Sequence, residues 1–431
     1  MQGDGAMKRL LVVSNEPFSA GSSNGRTLMN LLQGYDKAAL GQFYLHGKPD
    51  MAFCERYFCV SDADALHAFL HGKPRQLRFA SVVGRSGSNG QRTGLQIRRS
   101  CRNLLLRDLV WMQFSWWKKE FDDFLTGFSP QVVLLQAGDA PFLFAIARRI
   151  AETFRVPLVM YNSESYVLKR YMYSGARRDG LWHSLLKWRL KREYSRFMER
   201  ADFCIYSMEQ LEADCQKAYP HPGKSAVVYT VSGLRPGLRR EVDGGFRLVY
   251  CGNLGVGRVP PLAELARVLH TVDAEAVLEI YGRFVSPEEE RYLCSVPGVS
   301  YRGVVDYSEV PEILRQADMI VHCENKERLL NLRTAFSTKI ADSLAVGTPF
   351  LVFADKEYPF VKYLLHNRCA HVASDAEELK TVLTQCRMDP GYRLQFVENA
   401  LMTAERNHSA QNNCKKFNSI IEAVCGGTEK S

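Results

Sequence analysis

No eighteen consecutive apolar residues occur in this 431-residue chain, so nothing in it reads as a membrane-spanning helix. Its twelve cysteines include neither a CxxC pair nor a Cys/His cluster at zinc spacing, Cys54 and Cys59 coming nearest. With no secretory leader either, they read as reduced thiols of a cytosolic protein and assign no metal site. The two common phosphate-loop fingerprints, GxGxxG and the Walker-A loop, are missing, and so is any RNA- or DNA-binding motif. Acid is locally scarce too: from Arg85 to Arg107 there are six arginines and no carboxylate. The formal charge of +9 favours an anionic partner, whether nucleic acid, nucleotide or acidic membrane surface.

What is present is globular in composition, 46% apolar and 24% charged, and too long for one ordinary core; two domains of about 200 residues each are expected. The N-terminal half repeats a strand, loop and helix rhythm. Residues 9–14 form a buried-strand pattern, then a Gly-rich loop containing Gly25 leads to an apolar-periodic helix at 28–32. Residues 131–135 enter a loop with Asp139 and a helix at 142–154; residues 157–161 enter a loop with Glu164. Both carboxylates fall just past the carboxyl ends of expected parallel strands, where open α/β sheets collect active-site residues. The competing reading is a loop carboxylate for Asp139 and a helix cap for Glu164. Asp62 and Asp64 formally make a DxD, but Ser61 or Asp62 more naturally caps a helix at 65–70.

Residues 232–245, rich in Gly, Pro and charge, read as a linker, after which the rhythm restarts. Strands are expected at 246–251, 277–282, 299–304 and 318–322, with helices at 260–269 and 310–316. The stretch 336–349 then reads as a short helix feeding a buried strand at 350–353. Ser337 and Thr338 suit the N-cap, Ile340, Ala341, Leu344 and Ala345 recur at helical spacing, and Gly347 and Pro349 end the helix. Unpaired amides of the first turn, with Lys339 beside them and Asp342 one turn on, make a plausible phosphate site with a hydroxyl acceptor; a plain capped helix is the competing reading. The alternation implies an α/β fold of two doubly wound Rossmann-like domains facing across a cleft.

Two segments combine bases with aromatics. One runs from Arg85 through the Trp-rich stretch to Lys118 and Lys119; the other, Lys169 to Arg200, has ten Lys/Arg against three acids, with Tyr171, Tyr173, Trp182 and Trp188 interleaved. Such surfaces suit the lipid headgroup zone. The alternatives are core aromatics on a solvated basic helix, or a single-stranded nucleic acid contact.

The order Tyr250-Cys-Gly-Asn-Leu to Arg258, Ile280-Tyr-Gly282, Gly303-Val-Val, Leu314-Arg-Gln-Ala-Asp-Met-Ile-Val-His322 and Ser337-Thr-Lys-Ile-Ala-Asp to Pro349 resembles the donor domain of glycosyltransferase family 4, the GT-B fold. Ala201-Asp-Phe-Cys-Ile-Tyr-Ser207 is similar to the end of that family's acceptor domain. The resemblance implies an acceptor-binding domain at 7–235, a nucleotide-sugar domain at 246–400, and a terminal helix at 401–425 crossing back to the first domain. It implies transfer of a sugar from a nucleoside diphosphate sugar of the UDP or GDP type, without metal or other cofactor and with retention of configuration. By position, Arg258, Lys339, Ser337 and Thr338 would cradle the diphosphate. Asp342 stands where the family has a Glu for the ribose hydroxyls, and Gly25 would let the first loop approach the donor. Asn253 replaces the family's Arg after the glycine, and Thr334 replaces a Glu. An imidazole usual in the acceptor domain is missing where Asp139 or Glu164 would stand in.

The expected activity is therefore a cytoplasmic hexosyltransferase-type glycosyltransferase acting on a lipid-linked or surface-polysaccharide precursor, in peripheral contact with anionic membrane and not with nucleic acid. Asp139, Glu164, Arg258 and Lys339 are its catalytic candidates. A GT-B-fold sugar-nucleotide epimerase and a catalytically silent nucleotide-binding partner are the alternatives.

Overall fold

A computed structural model describes residues 7–74, 78–81, 100–169, 180–221, 223–235, 245–255, 257–326 and 333–427. The chain divides into two compact units, Met1–Tyr229 with Asn413–Ser431, and Thr230–Asn412.

In the first unit, strands β1 (Leu10–Val13), β2 (Leu40–Tyr44), β3 (Arg56–Cys59), β4 (Arg78–Ser81), β5 (Val132–Gln136), β6 (Leu158–Asn162), β7 (Phe203–Tyr206) and β8 (Lys224–Val227) form one sheet in the order β4-β3-β2-β1-β5-β6-β7-β8. Seven are parallel and the edge strand β4 runs antiparallel to β3. Helices cover the sheet, so β1 (LLVV), β5 (VVLLQ) and β6 (LVMYN) are buried at every position and read as continuous rather than alternating apolar runs. The helix Asp62–His71 starts earlier than its apolar periodicity suggests. Ser61 accepts from the Asp64 amide while Asp64 reaches back to the Ser61 amide, a capping box that uses up one half of the DxD. Asp62 is taken by Arg107 Nε at 2.7 Å and Trp111 Nε1 at 2.8 Å.

The terminal helix Ala410–Gly427 contributes Phe417, Ile420, Ile421 and Cys425 to the core of this first unit, beside Leu10, Leu28 and Leu31.

The second unit is a six-stranded parallel sheet of β9 (Arg247–Cys251), β10 (Val277–Tyr281), β11 (Val299–Gly303), β12 (Met319–Cys323), β13 (Phe350–Phe353) and β14 (His371–Ala373), ordered β11-β10-β9-β12-β13-β14. The strand order reverses between β9 and β12, the switch point at which doubly wound sheets open a crevice beyond their carboxyl ends. Before the terminal helix the chain forms three short helical pieces, Pro390–Leu394, Val397–Thr403 and a π-turn Ala404–His408. The wider turn carries His408 inward: its Nδ1 lies 2.7 Å from the Thr230 carbonyl, its Nε2 3.0 Å from Tyr363 OH, and its ring stacks on Phe336 at 5.1 Å.

Candidate functional site

At the switch point of the second unit, three segments converge: the loop after β9, the end of β12, and the first turn of the helix Thr338–Ala345. Gly252 follows β9, and its bare backbone makes room for Lys339, whose Nζ would lie 1.9 Å from a Cβ there. Gly282 at the end of β10 is required; a Cβ would lie 1.9 Å from the Gly252 carbonyl oxygen. Asn253 shapes the loop. Its side-chain oxygen accepts from the Gly255 amide at 2.9 Å, and its carbonyl accepts from Tyr250 OH at 2.8 Å and Arg258 Nη1 at 3.2 Å.

Arg258, 8% exposed, is thereby aimed at Glu324, which follows β12. Its Nε donates to Glu324 Oε1 at 3.1 Å and its Nη2 pairs with the same oxygen. His322 Nε2 lies 3.2 Å from that oxygen. Burial alone would push the Glu324 carboxyl up, but hydrogen bonds and charge from His322 and Arg258 hold it at about 2. Burial pushes His322 down, and Arg258 supplies Glu324 with a permanently charged partner. Glu324 was not singled out in the sequence, although it stands just past a strand's carboxyl end, the position that marked Asp139 and Glu164.

Lys339 presents the unusual group. Its stem is partly exposed, but its Nζ is enclosed, 5.5 Å from the Tyr250 ring centre, and has no hydrogen-bond partner among the described residues. Burial, then the charge of Arg258, push its ammonium down to about 7. Ser337 caps this helix, its Oγ accepting from the Lys339 amide at 3.3 Å, and Thr338 opens it. The result is two cations, one of them with no hydrogen-bond partner among the described residues, at a helix N-terminus: an arrangement suited to a multiply charged anion.

Asp342, one turn on, is 5% exposed. Oδ1 accepts from Ser232 Oγ at 2.7 Å and Oδ2 from Tyr307 OH at 3.0 Å, so each oxygen already serves the protein. Thr334 is buried near the start of this segment.

In the first unit Gly25 lies inside the helix Ser23–Leu31, where a Cβ would stand 2.3 Å from the Pro17 carbonyl and 2.8 Å from the Ser19 amide. Packing within its own loop thus requires the glycine. Asp139 precedes the helix Pro141–Phe154 and Glu164 follows β6. Lys169 links them: its Nζ, on a side chain 4% exposed, pairs with Glu164, sits 4.4 Å from the Tyr166 ring centre, and feels the charge of Asp139. Burial nonetheless pushes the Lys169 ammonium down. In the sequence Lys169 looked like the start of a solvated basic run; only its burial separates it from that run. Residues 170–179, which include Tyr171 and Tyr173, and most of the Arg85 segment lie outside the described residues.

Among the described residues no group of three or more His, Cys, Asp or Glu could hold a metal ion, and no helix is long and apolar enough to cross a membrane. Residues 262–419 match a family model described as glycosyl transferase-like. No curated protein matches the sequence. Among solved structures, sucrose-phosphate synthase from Thermosynechococcus elongatus is 10% identical over 97% of this chain and 100% of its own, with a TM-score of 0.63. HepE from Anabaena, in complex with UDP, is 10% identical over 97% and 100%, with a TM-score of 0.61. A glycosyltransferase from Rickettsia africae is 10% identical over 97% and 98%, at 0.55. The architecture is accordingly an α/β fold of the GT-B kind.

Proposed function

We propose that the protein is a glycosyltransferase that moves a sugar from a nucleoside diphosphate sugar to a lipid-linked or surface-polysaccharide precursor. The observation that carries this reading is the enclosed, unpartnered ammonium of Lys339 beside Arg258 at the switch point of the second sheet. A nucleoside diphosphate gains charge as the glycosidic bond breaks, and preset cations and amides aimed at it stabilise that transition state more than the ground state. The glycosyl transferase-like match over 262–419 and the UDP and glucose held by HepE support the assignment of donor.

In this reading Arg258, Lys339, Ser337 and Thr338 hold the diphosphate. Asn253 fixes the loop that aims Arg258. Asp342 contacts the ribose while bracing Ser232 and Tyr307. Asp139 and Glu164 are the carboxylates of the first unit that serve the acceptor, with Lys169 holding Glu164 in place. The transfer is retaining, family 4-like and independent of a metal. A lipid-linked acceptor would be met at the cytoplasmic face of an anionic membrane.

The test is a thermal-shift panel of UDP, GDP, CDP and dTDP, each with and without sugar. Binding at a hundredfold excess over Kd should stabilise the protein by about 2.7 kcal/mol. If none of the four shifts the transition, the donor assignment fails. Conversion of a sugar nucleotide with no acceptor present would instead indicate an epimerase, and binding without turnover a silent partner.

A further inference from the structure

The helix Gly180–Arg200 has two faces of opposite fate. Leu186, Leu190, Tyr194 and Phe197 are buried, while Leu181, Trp182, Leu185 and Trp188 are 76%, 45%, 40% and 50% exposed. The spacing of the exposed four, at i, i+1, i+4 and i+7, sets them along one side of the helix. The neighbouring helix Cys101–Met112 packs on it through Cys101, Leu105 and Leu186, and Arg189 Nε reaches Asp108 at 2.8 Å. That second helix leaves Leu106 and Leu109 52% and 55% exposed. Large apolar patches are uncommon on a free surface and mark a contact.

The charges on the helix say which contact. Lys191 is exposed, and the exposed Arg192 guanidinium lies 5.1 Å from the Trp188 ring centre. Of the two acids of this helix, Glu193 is buried, held by Arg189 and Arg196 at 3.1 Å each, and Glu199 is exposed in the last turn. From Leu181 to Arg192 the outward face thus offers leucines, tryptophans and cations with no carboxylate among them, and Glu199 follows on that side in the last turn. Two copies meeting through it would bring Lys191 and Arg192 of each against like charge. An anionic bilayer complements all three ingredients: tryptophans settle at headgroup level, leucines in the acyl boundary, and cations on lipid phosphates.

We infer that this face, Leu181, Trp182, Leu185 and Trp188 with Lys191 and Arg192, and with Leu106 and Leu109 beside them, docks the protein on an anionic membrane surface. The docking is independent of the sugar-transfer reading, because none of these residues belongs to the donor or acceptor site.

The experiment is co-sedimentation of the full chain with vesicles of phosphatidylcholine alone or mixed with phosphatidylglycerol, at low and high salt. The mixed vesicles should retain the protein at low salt and release it as salt screens the lipid charge. The pair Trp182→Ser/Trp188→Ser and the pair Lys191→Glu/Arg192→Glu should each weaken retention at least about tenfold. Both pairs should unfold as cooperatively as the parent chain, showing that the fold is intact. Failure of mixed vesicles to retain the parent at low salt, or equal retention of both pairs, overturns the inference. So does a lipid-free dimer that the tryptophan pair abolishes while vesicle retention is absent, which would make a second copy the occupant.

Discussion

Arg258 and Glu324, separated by 66 positions in the chain, form a buried ion pair in which Nε and Nη2 of the guanidinium share one carboxylate oxygen. His322 Nε2 stands 3.2 Å from that oxygen, and nearby is a lysine whose Nζ has no hydrogen-bond partner among the described residues. The site therefore carries one neutralised cation and one waiting cation, and the two should answer differently to removal.

Arg258→Ala leaves the Glu324 carboxylate buried without its charge partner, and stability should fall by about 3 kcal/mol. Lys339→Met removes a poorly solvated ammonium with no partner, so the apo protein should be as stable or more so. Both should weaken nucleoside diphosphate binding at least tenfold, about 1.4 kcal/mol. Calorimetric titration beside thermal unfolding separates the two; unchanged affinity in both variants would sink the donor site.

The pH dependence of donor binding follows from Lys339, whose ammonium titrates at about 7 in the free protein. A bound diphosphate raises that value, so binding takes up a proton above pH 7. Affinity for a nucleotide sugar, whose diphosphate diester does not titrate in this range, should be flat below pH 7. Above it, affinity should fall by up to about tenfold per unit. Lys339→Met should abolish the slope, which titrations at pH 6, 7, 8 and 9 would reveal.

The two glycines of the site should separate function from fold. At Gly252 an added methyl meets the tip of a flexible lysine, so Gly252→Ala should displace the Lys339 ammonium. Donor binding should drop about tenfold, with a stability loss of about 1 kcal/mol that comes from placing a side chain at φ +157° rather than from the flexible lysine. At Gly282 the methyl meets backbone, the Gly252 carbonyl, which cannot swing aside. Gly282→Ala should cost about 2 kcal/mol or more in denaturant unfolding. Equal stability in the two variants would contradict the packing described.

Acid should weaken the fold through His408. The side chain is wholly buried, and burial holds its imidazole down at about 4, below an unfolded value near 6.5. In that window the unfolded chain binds the extra proton, so stability is complete above about pH 6.5 and is lost as pH falls toward 4. The loss reaches about 3 kcal/mol. Urea midpoints between pH 7 and 4.5 measure it. His408→Gln, which cannot take up that proton, should flatten the slope even though it begins less stable; an unchanged slope would remove His408 as the cause.

The alternation of strands and helices was legible along the chain because burial on both faces of a parallel sheet leaves continuous apolar runs such as Leu10–Val13 and Val132–Gln136. Ser337 as a cap and Lys339 in the first turn followed from local chemistry alone. Other features were not legible in local pattern. Gly25 suited a ligand approach, and the fold adds that Pro17 and Ser19 leave no room for a side chain there. The π-turn at Ala404–His408 is another such feature, since it turns His408 toward Thr230 and Tyr363, contacts 178 and 45 positions away.

By itself the sequence determined the strand and helix order and the capped first turn that holds Lys339 and Asp342, since each depends on periodicity or capping within a few residues; Arg258 became a donor candidate only through the family resemblance. Only the tertiary structure decided their states. It gave Arg258 an anion in Glu324, left Lys339 Nζ without a hydrogen-bond partner among the described residues, set Ser232 and Tyr307 on Asp342, and buried Lys169 against Glu164. The reason is physical: whether a charge is solvated, paired or stranded depends on desolvation and on neighbours brought in from distant parts of the chain, and neither is written in local pattern.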